Sequence, residues 1–364
     1  MPSGPHLLVS LSPHGYGHTA QTAPVVNRLR QLLPAVRVTL RTTVPEAILR
    51  ARFDPPWGLE REASDFGMVM ASAIDVLAEA SAAAYREFHR DWEDKIDAEA
   101  VRLRALAPDL VLSNVAYLPL AGAARAGLPA VALCSLNWAD IHHHYCHAFP
   151  GAAAIDAEIR AAYRSARAFL KAEPGMPMAW LDRRVDVGPV ARLGRDRRAE
   201  LDARLGLTPG ERLVLVAPGG IPMRIDMSAW PRLPGVRWLV ESAWHSTHPD
   251  AIALQSLDMH FTDLLRSCDA LIGKPGYGSF AEAACNGTPV LYVARGDWPE
   301  EPYLVDWLHR HGRCAEIERA LLVSGDLEEP LNRLFAQPRP APVAPTGIDT
   351  AASFLAPWLA GGEP

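Results

Sequence analysis

Long apolar runs, paired cysteines and an excess of positive charge are all missing from this 364-residue chain. No segment approaches the ~18 apolar residues that a membrane-spanning helix needs, so no transmembrane segment is expected. The start, Met1-Pro-Ser-Gly-Pro-His6, lacks the basic and then apolar layout of a secretory leader. Five cysteines (Cys134, Cys146, Cys268, Cys285 and Cys314) are scattered, odd in number, and form no C-x-x-C. That spacing reads as reduced, mostly buried thiols in a cytoplasmic protein. Net charge is −6, from 36 Lys+Arg against 42 Asp+Glu, which argues against a general nucleic-acid surface. A phosphate-binding P-loop is also lacking, because Lys274 precedes its glycine turn where that motif needs it to follow.

What remains is a soluble globular balance, 49% apolar and 21% charged, in a chain long enough for two cores. Short apolar runs recur at Leu7–Leu11, 36–40, 109–112 and 130–133, and again at 212–217, 236–240, 270–272 and 290–293. Helical patterns separate them, over 19–33, 72–106, 163–170 and 197–205. Strands alternating with helices predict an α/β protein with parallel sheets covered on both faces. The pattern restarts once. It predicts a first domain over 1–185, an extended crossing over 186–196, a second domain over 197–340, and a proline-rich linker with a terminal helix over 341–364. Ligands of such sheets bind at the carboxyl ends of strands, here in a cleft between the two halves.

Two glycine loops sit at such ends. The second, Gly273-Lys-Pro-Gly-Tyr-Gly-Ser279, leads from a strand into a helix, where free backbone N–H groups and the helix dipole favour an anion. Gly276, Tyr277, Gly278 and Ser279 are the candidates for a diphosphate, together with Gly219 and Gly220 after the first strand of that half. Ser279-Phe-Ala-Glu282 also matches a capping box, so Glu282 has two readings, helix cap or ribose acceptor. Arg295 could meet phosphate bidentately, and Glu300 and Glu301 could accept from sugar hydroxyls. In the first loop, Gly15-Tyr-Gly17-His-Thr-Ala20 fits a dinucleotide fingerprint, but Arg41 stands near where a ribose-binding acid belongs. His14 and His18 are unexpected beside a pyrophosphate. His18 is either a general base facing the cleft or a residue that packs at the helix start. The segment His142-His-His-Tyr-Cys-His147 has i, i+3 and i, i+4 pairs of potential ligands, yet no matching ligands elsewhere, so no metal site is expected. It is read as lining an acceptor site after Asn137-Trp138.

These residues resemble the GT-B glycosyltransferases, two Rossmann-like parallel-sheet domains facing across a cleft. His14-Gly-Tyr-Gly-His-Thr19 resembles the GHGxGH start of the glycosyltransferase-like N-terminal region of L-arabinokinases and its stand-alone bacterial relatives. Leu136-Asn-Trp-Ala-Asp-Ile141 resembles that family's N-F-S-W-D-F-like segment. Leu271 to Ser279, with Glu282 and Arg295-Gly-Asp-Trp-Pro-Glu-Glu-Pro-Tyr-Leu304, resembles its LGKxGYGTxxE…RxxxxEEPxL. More distantly the chain is similar to lipid-II-forming and plant secondary-metabolite glycosyltransferases. The resemblance implies a nucleoside-diphosphate sugar donor (a UDP-sugar first), a small-molecule or glycan acceptor, inversion, and no required cofactor or metal. It implies His18 as catalytic base, Glu282 on ribose, Glu300 and Glu301 near the donor sugar, and His14, Gly15, Gly17, Asn114 and Trp138 on the acceptor side. Asn114 stands where the plant enzymes orient their histidine with an Asp, which makes Asp140 the candidate partner of His18. A nucleotide-sugar-binding module without turnover, an epimerase or hydrolase of the same fold, and an NAD(P)-dependent oxidoreductase are the alternatives.

Overall fold

The apolar runs become strands buried on both faces, because helices cover each side of the two sheets. The computed structural model describes residues 4–72, 74–218 and 225–362. The first sheet comprises β1 (His6–Leu11), β2 (Arg37–Arg41), β3 (Gly58–Glu60), β4 (Leu110–Asn114), β5 (Ala130–Cys134), β6 (Ala168–Glu173) and β7 (Arg184–Pro189). Its order is β3-β2-β1-β4-β5-β6-β7, with every pair parallel. The second sheet comprises β8 (Arg212–Val216), β9 (Val236–Val240), β10 (Ala251–Ala253), β11 (Ala270–Gly273), β12 (Val290–Tyr292) and β13 (Cys314–Glu316). Its order is β10-β9-β8-β11-β12-β13, again all parallel. Both are Rossmann-like orders that reverse beside their first strand, between β1 and β4 and between β8 and β11. The crevices at those two switch points carry the two glycine loops.

Three sequence expectations change. The helical pattern over 72–106 is two helices, Ala78–Phe88 and Trp92–Leu106, separated by Asp91 at φ 56°. The break turns His89 and Trp92 inward together, their rings stacked 4.7 Å apart. The helix expected over 163–170 ends at Ser165, whose hydroxyl bonds the Ala162 and Leu120 carbonyls, and β6 starts three residues later. The first four residues of the expected crossing, 186–189, belong to β7, paired with β6.

One apolar cluster joins the halves. It runs from Leu7, Val9 and Leu11 through Val190 and Ala191 to Leu271, Tyr277 and Phe280, and on to Ala351 and Leu355. The last two lie on the terminal helix Gly347–Leu359, which packs on the helix Gly17–Leu32 and on β7. Gly347 permits that packing, since a Cβ there would stand 2.0 Å from the Gly188 carbonyl oxygen. Among the described residues no helix is long and apolar enough to cross a membrane.

Candidate active site

The helix Gly17–Leu32 follows β1 and the helix Tyr277–Asn286 follows β11, so each begins at a switch point. The two starts touch: a Cβ on Gly278 would stand 3.0 Å from the Ala20 Cβ and 3.7 Å from the Gly17 Cα. Gly278 therefore serves a close approach of the two domains, and not a left-handed turn. Two positive helix poles converge on one place. Gly276 is the N-cap in extended conformation, with no side-chain cap, so Ser279 lies inside the first turn. The capping box does not form. The Ser279 hydroxyl has no hydrogen-bond partner among the described residues, and Glu282 turns across the cleft to a bidentate pair with Arg52. Tyr277 is also spent on structure, its hydroxyl accepting from the Val190 N–H and donating to the Glu173 carbonyl. Gly219 and Gly220 lie outside the described residues.

His18 is 5% exposed, and its Nδ1 is 2.8 Å from the Asn114 Oδ1. An amide oxygen only accepts, so Nδ1 carries the proton and the Nε2 lone pair is free. Burial pushes His18 down to about 4, opposed by the Asn114 hydrogen bond, so the imidazole is neutral near pH 7. Beside it the Cys134 Sγ lies 3.7 Å from Nδ1, and burial holds that thiol protonated. Asp140 is not the partner of His18. Its carboxylate accepts from Arg160 (2.9 Å), Trp180 (3.0 Å) and Asn137 (2.8 Å), which lock the start of the helix Trp138–Cys146 onto its neighbours.

Behind Asn114 the polar contacts continue. The Asn114 amide donates to the Gln21 Oε1 (3.1 Å), the Gln21 amide to the Ser135 Oγ (2.6 Å), and Ser135 to the Glu300 Oε1 (2.5 Å). All five side chains are buried, and Glu300 belongs to the second domain. Its other oxygen accepts from the Trp298 indole at 3.2 Å. Glu300 and Glu301, both expected near a donor sugar, make internal contacts. Glu300 faces inward, and Glu301 accepts from the backbone N–H of Arg295 at 2.9 and 3.0 Å, tying down its own loop.

Cations gather beside this chain. Arg295 lies over Trp298 with its Cζ 4.0 Å from the ring centroid, and its Nε and one terminal nitrogen are buried without hydrogen-bond partners. Lys274 has no ion-pair partner among the described residues; burial, and then Arg295, push it down to about 7. His14 packs edge-on to Trp138 (5.3 Å) and stacks on Trp298 (5.9 Å), one tryptophan from each domain. Burial, then the neighbouring His18, Arg295 and Lys274, push it down to about 3. Trp138 in turn donates at 2.6 Å to Asp65, a carboxyl that burial raises to about 6.

Sequence reasoning missed Gln21, Arg52, Asp65, Ser135 and Lys274. Gln21 had a signal, since it lies three residues after His18 on the same helix face. Lys274 stood within the motif, but comparison with a P-loop dismissed it. Arg52, Asp65 and Ser135 meet partners 73 or more residues away in sequence, and no local pattern marks them. The histidine segment is spent internally: His142 and His143 both bond Asp156, and His144 reaches Asp297 of the second domain. Among the described residues no group of three or more metal-ligating side chains is assembled.

Two facing Rossmann-like sheets whose switch points share one cleft are the GT-B fold, as the motifs implied. Solved glycosyltransferases agree with this chain across nearly its whole length. The glycosyltransferase of kitacinnamycin superposes with a TM-score of 0.59 at 14% identity, over 99% of this chain and 96% of that one. The glycosyltransferase VinC, solved with dTDP, gives 0.56 at 14% identity, over 98% and 96%. In sequence the chain is 26% identical over 338 residues to L-arabinokinase of Arabidopsis thaliana, covering 91% of itself. It spans only 32% of that relative's length. No family model matches the chain.

Proposed function

We propose that the chain moves a sugar from a nucleoside-diphosphate sugar to a hydroxyl acceptor. One observation carries this reading: two helix starts and two unpaired cations, Lys274 and Arg295, converge beside a neutral histidine with a free Nε2. The donor diphosphate would lie against the first turn at Gly276, Gly278 and Ser279, with Lys274 and Arg295 closing on its oxygens. The acceptor would enter from the side of His14 and Trp138. His18 takes the acceptor proton at Nε2 while the oxygen attacks the anomeric carbon. The bond from that carbon to the diphosphate breaks, and the cations and backbone N–H groups stabilise the departing charge. A single displacement of this kind inverts the anomeric centre. Glu282 takes the ribose hydroxyls once Arg52 releases it. The setting is cytoplasmic. VinC supports the donor class, having been solved with dTDP.

A second reading has its own support. His18 rests on an amide where a carboxylate is the stronger partner. That suits a module that binds a nucleotide sugar without turning it over. Calorimetric titration with UDP-, dTDP- and GDP-sugars, followed by product analysis with and without an acceptor panel, separates the two. Transfer requires binding and a new glycoside. Tight binding with no product across the panel favours the module, and sugar released to water alone favours a hydrolase.

A further inference from the structure

We propose that Glu300, on the second domain, sets the tautomer of His18, on the first, through Ser135, Gln21 and Asn114. The argument starts at the carboxylate. An ionised Glu300 cannot donate, so the Ser135 O–H must point at it across 2.5 Å. The Ser135 lone pair is then left for the Gln21 amide N–H at 2.6 Å. That fixes the Gln21 oxygen toward the Asn114 amide at 3.1 Å, and the Asn114 oxygen toward the His18 Nδ1 at 2.8 Å. His18 must answer with an N–H. Each step leaves one choice, so a charge at one end decides which nitrogen of the imidazole is free at the other.

Burial pushes the Glu300 carboxyl above its ordinary range, and four neighbours favour the charge against it: the Ser135 and Trp298 hydrogen bonds and the Arg295 and Lys274 charges. Each carboxylate oxygen accepts one hydrogen bond, from Ser135 and from the Trp298 indole, which fixes the orientation of Glu300. Buried amides and hydroxyls are costly unless satisfied, and here a fully satisfied run of them crosses the domain boundary. A protonated acid or a glutamine at 300 can donate to the Ser135 oxygen, which frees the Ser135 O–H to turn to Gln21 and releases the constraint on both amides and on the imidazole. Glu300 is thus a positioning residue. Ser135 and Glu300 sit on different domains, so the contact that orients the run of hydrogen bonds crosses the domain boundary.

This inference rests on the reading of His18 as the base, but its test needs no substrate. Two-bond proton–nitrogen correlation spectra of protein labelled with ¹⁵N-histidine distinguish Nδ1–H from Nε2–H rings, and a His18→Gln variant assigns the signal. The expected wild-type form is Nδ1–H. Glu300→Gln, and Ser135→Ala with Glu300 intact, should each move the tautomer ratio toward Nε2–H by roughly tenfold or more, as loss of a charge-assisted hydrogen bond implies. Ser135→Ala removes one oxygen atom and keeps the test open if Glu300→Gln does not fold. An Nε2–H ring in the wild type, or an unchanged ratio in a folded variant, overturns the proposal. If a transfer assay is in hand, both variants should lower kcat with donor KM unchanged. A positive spectrum with no transferase activity would sink the functional reading and leave the relay standing.

Discussion

The two glycine loops flank the switch points of sheets of equivalent order, one after the first strand of its sheet and the other after the fourth, and their chemistry is opposite. The first, after β1, presents two imidazoles that burial keeps uncharged. The second, after β11, presents a helix start with Lys274 before it and Arg295 nearby, nitrogens largely unpaired. The fold supplies each loop with the same asset, a helix N-terminus at a strand end. In the proposed reaction the side chains then divide the labour, with proton transfer on one wall and anion binding on the other. The division also reinforces itself, because Arg295 and Lys274 are among the groups holding His14 neutral.

Removing the reactive group from the first wall should have the largest effect. His18→Ala is expected to cut turnover by about 10²- to 10⁴-fold, the usual worth of a general base, and to leave donor affinity nearly unchanged. Kinetics beside calorimetry on the same preparation checks both halves of that statement. If donor affinity falls in step with turnover, the two walls are not separate in function and the comparison collapses.

The contact that holds the walls together comes next. Arg52 and Glu282 have side chains 14% and 2% exposed, so cutting either leaves a buried charge alone. Each single alanine should cost about 3–5 kcal/mol in denaturant unfolding. Donor affinity should move in opposite directions. Glu282→Ala loses the proposed ribose acceptor and weakens binding, whereas Arg52→Ala frees that carboxylate and strengthens it. Should Arg52→Ala weaken donor binding as well, Arg52 is a ligand of the nucleotide and not a competitor for Glu282.

Much of this scaffold was legible, for a physical reason. Parallel strands covered on both faces must be apolar throughout, so runs such as Leu7–Leu11 and 212–217 announce themselves. Glycine turns leading into helices marked both switch points. β6 and β7 were hidden because Lys171, Arg184 and Asp186 interrupt their apolar character at the sheet edge. The roles of single residues were less legible still. Ser279 and Glu282 match a capping box letter for letter, and a partner 230 residues away takes the carboxylate instead. Glu300-Glu301 looked like two equivalent acids, but one ends a chain that begins at His18 and the other holds its own loop. Local spacing encodes local contacts. Contacts across the cleft depend on how two domains meet.

The smallest expected effect probes the neutrality of the first wall. His14 has its ordinary pKa of 6.5 in the unfolded chain and about 3 in the folded one. Between those values the unfolded state binds a proton that the native state refuses, so stability present above pH 6.5 is lost as pH falls toward 3. Asp65 acts with the opposite sign. Raised to about 6, it costs stability as pH rises through that value and relieves the loss below it. His14→Phe keeps an aromatic ring between Trp138 and Trp298 and removes the titration, together with the long contact from the Met68 N–H to Nδ1 at 3.5 Å. Compared with the wild type, its unfolding free energy should fall by about 1.4 kcal/mol less between pH 7.5 and 5.5, one pH unit of linkage below 6.5. Denaturant melts at the two pH values measure this directly. Equal losses in both proteins would mean that His14 is charged in the folded state, and the first wall would then be cationic like the second.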